Sequence, residues 1–280
     1  MITDLAITRA EFLAHAQELP AAPQVLGGLC ELLADVNTGL GQISDEIRRD
    51  PALAARVIRL SNSVIFGGGG GVSSIDEAVN RVGFAEIIRI VGVATVAGLV
   101  DRSLQLYGVE AERLRESLLL HALASEALAA AAAIDPRAAY AAGLLRGVGM
   151  MVLDRTARRR IATTEIFDQQ QFTTYAEWER VRFGLTGDEA AAVILDEWRF
   201  PPDLVGAIAQ HRIPGENPLA NVLNLAGSIV TAGGLALAGE EACWRLEPER
   251  LAAAGLDHAQ WQDACVQTHL TFTQQRGALY

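Results

Sequence analysis

Apolar positions along the chain recur mostly at helical spacing. After Pro23, the residues Val25, Leu26, Leu29, Leu32 and Leu33 fall on one face at three- and four-residue intervals. Leu53, Val57 and Leu60 do the same after Asp50–Pro51, while Arg56 and Arg59 fall outside that face. Asp50–Pro51 reads as a helix start, an N-cap acceptor followed by proline at the first helical position. Asp135–Pro136 and Pro201–Pro202 are starts of related form, and Ser74 with Glu77 and Thr186 with Glu189 carry the capping-box spacing. Further helices are predicted over 12–17, 44–48, 84–100, 110–133 and 219–231, with others around Tyr175–Val181 and up to Trp198. Gly83 can close the helix that opens at Ser74. No alternating strand pattern interrupts this series. The pattern predicts an all-α chain folded as a compact multi-helix bundle.

Composition agrees. Half of the 280 residues are hydrophobic, aromatics are few and alanine is abundant, as in Ala127–Ala133. No lysine occurs, so the basic side chains are Arg and His. The formal net charge of −11 argues against a nucleic-acid partner, which needs a positive surface. The local exception, 155–160, holds four arginines and reads first as a solvated helix end, second as a docking or anion-binding patch. Cys30, Cys243 and Cys265 are too widely spaced for a ligand pair and suit reduced thiols. No signal peptide is visible, because Asp4 precedes any apolar run. The uncharged stretch 90–100 is too short to span a bilayer, and 219–239 is broken by Asn221, Asn224, Ser228, Thr231 and Gly233–Gly234. The expectation is a cytoplasmic protein without a membrane segment.

Two stretches raise chemical questions. The run Gly67–Gly71 lacks the following Lys-Ser/Thr of a phosphate loop and reads as a flexible connector. In "AAYAAGLLRGVGMMVLDR", residues 138–155, Arg146 and Gly147 interrupt an apolar frame at a turn. A guanidinium placed there must find a partner or bind one.

Four segments carry a resemblance to a known family: "LPAAPQVLGGLCELLAD" (19–35), "IRRDPALAARVIRLSNSVIFG" (47–67), "VSSIDEAVNRVGF" (72–84) and "AYAAGLLRGVGMMVLD" (139–154). Together, over about residues 12–215, they resemble the HDOD domain, a signalling-associated relative of the HD-type phosphohydrolases. The resemblance implies an N-terminal helical subdomain (1–104), an HD-like helical core (105–215) and a helical C-terminal extension (216–280). It also implies that "GLLRGVG" stands where metal-dependent relatives read Gly-Leu-Leu-His-Asp-Ile-Gly. His121 then matches an earlier helical ligand, Arg146 and Gly147 replace the His-Asp pair, and Gly227 falls where a later Asp is needed. Arg146 offers no lone pair, and two unit charges about 4 Å apart repel by roughly 4 kcal/mol at an effective dielectric near 20, doubled for a divalent ion. No metal and no cofactor are expected at this vestigial cleft.

His121 is then expected to be a core histidine with a local partner such as Ser125, and His211 a surface histidine near a helix end. Arg146 either ties helix ends or a carboxylate together or binds an anion such as a nucleotide phosphate. Asn62 reads as a structural hinge or a partner contact. With Ile65 and Phe66 it forms a candidate docking tip, unless Phe66 tucks into the bundle. The resemblance implies a non-enzymatic bacterial signalling protein that binds a sensor kinase, a response regulator or a cyclic-di-GMP enzyme. Two other functions remain open. One is a nucleotide or small-molecule sensor using the cleft around Arg146. The other is a divergent phosphohydrolase using Glu126 with Asp154 or Asp188.

Overall fold

The computed structural model describes residues 8–19, 22–35, 37–66, 71–160, 165–213 and 215–280. Most of the proposed glycine connector, residues 67–70, lies outside them. Among the described residues there is no strand, only an isolated bridge between Leu104 and Val109. The all-α expectation holds.

The first half packs α1 (Arg9–Ala16), α2 (Ala22–Ala34), α3 (Leu40–Arg48), α4 (Pro51–Ser61), α5 (Ile75–Val82) and α6 (Phe84–Leu99). The second half begins with α7 (Ala111–Ala131), α8 (Pro136–Leu145) and α9 (Val148–Arg160). It continues with α10 (Tyr175–Phe183), α11 (Gly187–Glu197), α12 (Pro202–Gln210) and α13 (Pro218–Ala232), and closes with α14 (Pro248–Ala253) and α15 (His258–Gln275). The start signals act as read: Asp50 accepts from Ala52 N at 2.9 Å and Leu53 N at 3.0 Å, and Thr186 and Glu189 form a reciprocal box.

The long helix α7 is the axis of the second half. It packs against α8, α13 and α15, and its middle is buried on every side. Gly143 sets how closely α8 approaches it, because a Cβ there would lie 2.6 Å from the Ala122 Cα. That approach brings the end of α8 beside His121. The apolar core is continuous across residues 104 and 215, running from Phe12 to Leu279. No helix among the described residues is long and apolar enough to cross a membrane.

Asn62 caps α4 and bridges the two ends of the glycine-rich connector. Its Nδ2 donates to the Val72 carbonyl at 2.8 Å, and Val72 N donates to its Oδ1 at 3.0 Å. Asn62→Ala breaks both bonds and is expected to lower the unfolding free energy by about 1–3 kcal/mol in urea titrations. An unchanged midpoint would show that the bridge contributes nothing. Phe66 is 6% exposed and belongs to the core, so it is not available at the tip; Val64 and Ile65, at 89% and 36%, are the exposed apolar pair there. The three cysteines are free and half-buried.

Candidate functional site

Three of the four cleft residues singled out in the sequence converge on one indole. His121, from the middle of α7, lies edge-on to Trp244, ring centroids 5.7 Å apart. The Arg146 guanidinium, at the end of α8, sits 5.7 Å from the Trp244 ring. Gly227, in α13, faces the same ring so closely that a Cβ would lie 2.3 Å from its Cδ2. Gly147 instead packs against Leu118 and Met151.

Arg146 finds an internal partner. Its side chain is 1% exposed, and Nη1 donates to Glu240 Oε1 at 2.6 Å, with Ser117 Oγ at 3.5 Å from Nη2. Arg212 donates to the same Glu240 oxygen at 3.5 Å, pairs with Asp188, and also lies over Trp244 at 5.9 Å. Two guanidiniums and two carboxylates thus form a buried chain of zero net charge. Burial alone would push the Glu240 carboxyl up, but Arg146 and Arg212 outweigh it and hold it below its ordinary value. The anion at Arg146 is supplied by the protein itself.

The histidines beside this chain favour the neutral form. Burial lowers the His121 pKa, and the charge of Arg146 lowers it further. Its Nε2 meets the Leu223 carbonyl at 3.0 Å, while Ser125 Oγ donates to the His121 backbone carbonyl at 2.7 Å. The expected Ser125 contact therefore reaches the backbone, not the ring. His211 is not at the surface: it is fully buried at the end of α12, stacked on Trp244 with centroids 5.5 Å apart. Burial lowers its pKa too, although Asp188 opposes the change.

The residues present do not fit a divalent ion. His121 Nδ1, His211 Nε2, Asp188 Oδ1 and Glu240 Oε2 are buried without a hydrogen-bond partner, yet two guanidiniums are bound into the same cluster. Trp244 takes the space a side chain at position 227 would need. Among the described residues, no group of three His, Cys, Asp or Glu side chains is placed to hold a metal. Glu126 is engaged by Arg89 at 3.2 Å, and Asp154 accepts from Leu106 N at 2.8 Å. Of the three acids considered as catalytic partners for His121, only Asp188 belongs to this cluster.

Glu179 lies next to it, in α10. Tyr107 donates to its Oε1 at 2.7 Å and Gly187 N to its Oε2 at 2.6 Å. Burial nevertheless outweighs these bonds and the charge of Arg212, and raises its pKa to about 7. The unfolded carboxyl titrates near 4.5, so between those values the folded state holds a proton that the unfolded state releases. The contribution of Glu179 to stability therefore falls as pH rises from about 4.5 to about 7, by about 3 kcal/mol in all. Glu179→Gln removes that dependence, so its stability relative to wild type improves between pH ~5 and pH ~8. Denaturant titrations at the two values check this, and parallel pH profiles for the two proteins would refute it.

The arginine run behaves as a half-exposed, acid-matched helix end. Arg155 approaches Asp101 at 3.7 Å, Arg158 approaches Asp154 at 3.5 Å, and Arg159 meets Glu18 at 2.6 Å. The Arg160 side chain lies outside the described residues.

Sequence reasoning missed Glu240 and Trp244, the residues that fill the cleft. The available signal was an apolar run, Leu235–Leu237, just before them in a segment otherwise lacking pattern.

His121, Arg146 and Gly227 meet around the Trp244 indole inside an all-helical frame. The HDOD domain model matches residues 19–214, and the chain belongs to that family. Solved structures agree on the fold. A candidate phosphohydrolase from Shewanella amazonensis SB2B superposes with a TM-score of 0.67 at 22% identity, over 100% of both chains. A candidate signal transduction protein from Marinobacter aquaeolei VT8 gives 0.71 at 22% identity, over 97% of this chain and 65% of that one. An HDOD domain protein of unknown function from Geobacter sulfurreducens gives 0.66 at 18% identity, over 95% and 96%. No curated protein matches the chain.

Proposed function

We propose that this chain is a non-enzymatic signal-transduction protein of the bacterial cytoplasm, a helical scaffold that binds another signalling protein. The partner class is a sensor kinase, a response regulator or a cyclic-di-GMP enzyme. One observation carries the reading. Glu240 and Trp244, from residues 216–280, neutralise Arg146 and fill the space beside Gly227, in the cleft that the resemblance matches to the metal ligands of HD-type relatives. The resemblance to signalling-associated relatives supplies the direction: with chemistry displaced, contacts carry the function. The exposed Val64–Ile65 tip is one surface available for them.

The test is elemental analysis of protein purified without added metal, with phosphoester hydrolysis assayed in manganese, magnesium and iron. The expected result is substoichiometric metal and hydrolysis unchanged in His121→Ala. Stoichiometric metal lost in His121→Ala, together with hydrolysis lost in the same variant, would overturn the reading. Affinity capture of a kinase, regulator or cyclic-di-GMP enzyme with the intact chain supports the partner class.

A further inference from the structure

A groove of about 630 Å³ runs between α4, α6, the start of α7 and the terminal turn Arg276–Leu279. Leu60, Ile65 and Leu279 give it an apolar lining, its charged side chains are Arg56, Arg59 and Arg115, and Tyr280 with its main-chain carboxylate also lines it. Among the described residues, no carboxylate side chain lines it. Many arginines elsewhere in this protein of net charge −11 sit against acids, as in Arg48–Asp45, Arg89–Glu126 and Arg180–Glu189.

Among the described residues, none of the three groove arginines has an ion-pair partner. Arg56 donates to the Ala94 carbonyl at 3.4 Å. Arg115 spends its Nε on the Val100 carbonyl at 2.9 Å and lies 5.9 Å from the Tyr280 ring. Arg59 is exposed. Of the neighbouring acids, Glu116 is taken by Arg276 at 2.6 Å and by the Tyr280 hydroxyl at 3.3 Å, and Glu112 faces the same hydroxyl. Arginine beside an apolar lining is the composition of a protein-docking surface, and its positive sign selects a negative partner.

We propose that this groove docks an acidic segment of a protein partner. Carboxylates of the segment pair with Arg56, Arg59 and Arg115, and one apolar side chain packs on Leu60 and Ile65. The proposal rests on the scaffold reading and gives the partner a chemistry. A nucleotide is the weaker fit, because it would leave Val64, 89% exposed, and Ile65 uncovered beside it. A peptide covers both the charged and the apolar parts.

The experiment selects short random displayed peptides on the intact chain and measures binding of the enriched ones by fluorescence anisotropy. Enriched sequences are expected to be rich in Asp and Glu with one large apolar residue. Their affinity should fall at least about tenfold in Arg56→Glu/Arg59→Glu, and severalfold as sodium chloride rises from ~0.05 to ~0.3 M. Ile65→Ala should weaken binding as well, whereas Arg245→Glu, outside the groove, should not. Circular dichroism melts confirm that each variant is folded. Absence of acidic enrichment, or equal binding to the groove double variant, overturns the proposal. So does binding of ATP or inorganic phosphate that is lost in Arg56→Glu/Arg59→Glu while acidic peptides fail to bind. A metal-loaded, active enzyme would sink the scaffold reading without moving any of these peptide results, so the two failures are distinguishable.

Discussion

Arg146→Ala lowers the unfolding free energy by about 3–5 kcal/mol, because it strands the buried Glu240 carboxylate. Glu240 is fully buried, and its short contact is the one from Arg146; Arg212 stands off at 3.5 Å and is already held by Asp188. Removing the guanidinium forces the carboxyl either to take up a proton or to draw water into the cleft. The variant should therefore lose least stability in acid, where Glu240 can be neutral. Arg146→Met/Glu240→Leu removes both charges while keeping much of the volume, and should cost clearly less than the single change. Guanidinium titrations of the single and double variants measure both quantities. A double variant as unstable as the sum of Arg146→Met and Glu240→Leu measured singly would mean that the pair is not coupled.

Trp244→Ala is expected to cost about 3–5 kcal/mol, the range for truncating a large buried aromatic. The indole is 2% exposed and touches four site residues at once: His121, His211, Arg146 and Arg212. Its loss opens a cavity against Gly227. That geometry gives a sharper test than the single value. In the wild type, Gly227→Ala drives a methyl group to within 2.3 Å of the ring and should cost about 1–3 kcal/mol. In the Trp244→Ala background the same methyl fills empty space, and its cost should vanish or reverse. Thermal and chemical denaturation of the four proteins yields the coupling, and additivity would show that the two residues do not share the space.

Local signals and distant pairings differ in how far the sequence exposes them. Asp50–Pro51, Asp135–Pro136 and the Thr186–Glu189 box locate helix starts because the cap and its acceptor lie within three residues of each other. The turn at Arg146 is equally legible, and so is its need for a partner. The identity of that partner is not. Glu240 lies 94 residues away, one of 34 acids in the chain, and no periodicity connects the two. His211, expected at the surface, is buried for the same reason. A histidine at a helix end is ordinarily wet, and its burial here depends on stacking with Trp244, on a segment without a helical pattern. Phe66 is the converse case: its neighbours Val64 and Ile65 are exposed, and only the three-dimensional turn decides which of the three points inward.

The family match ends at residue 214, yet Glu240 and Trp244 lie beyond it. A fragment cut at that boundary would carry Arg146 with no counter-ion and a trough of uncovered apolar wall where the indole had been. Such a piece should be recovered as aggregates or bound to chaperones. Anyone expressing the recognised domain by itself would then be studying an exposed wound in place of the native surface.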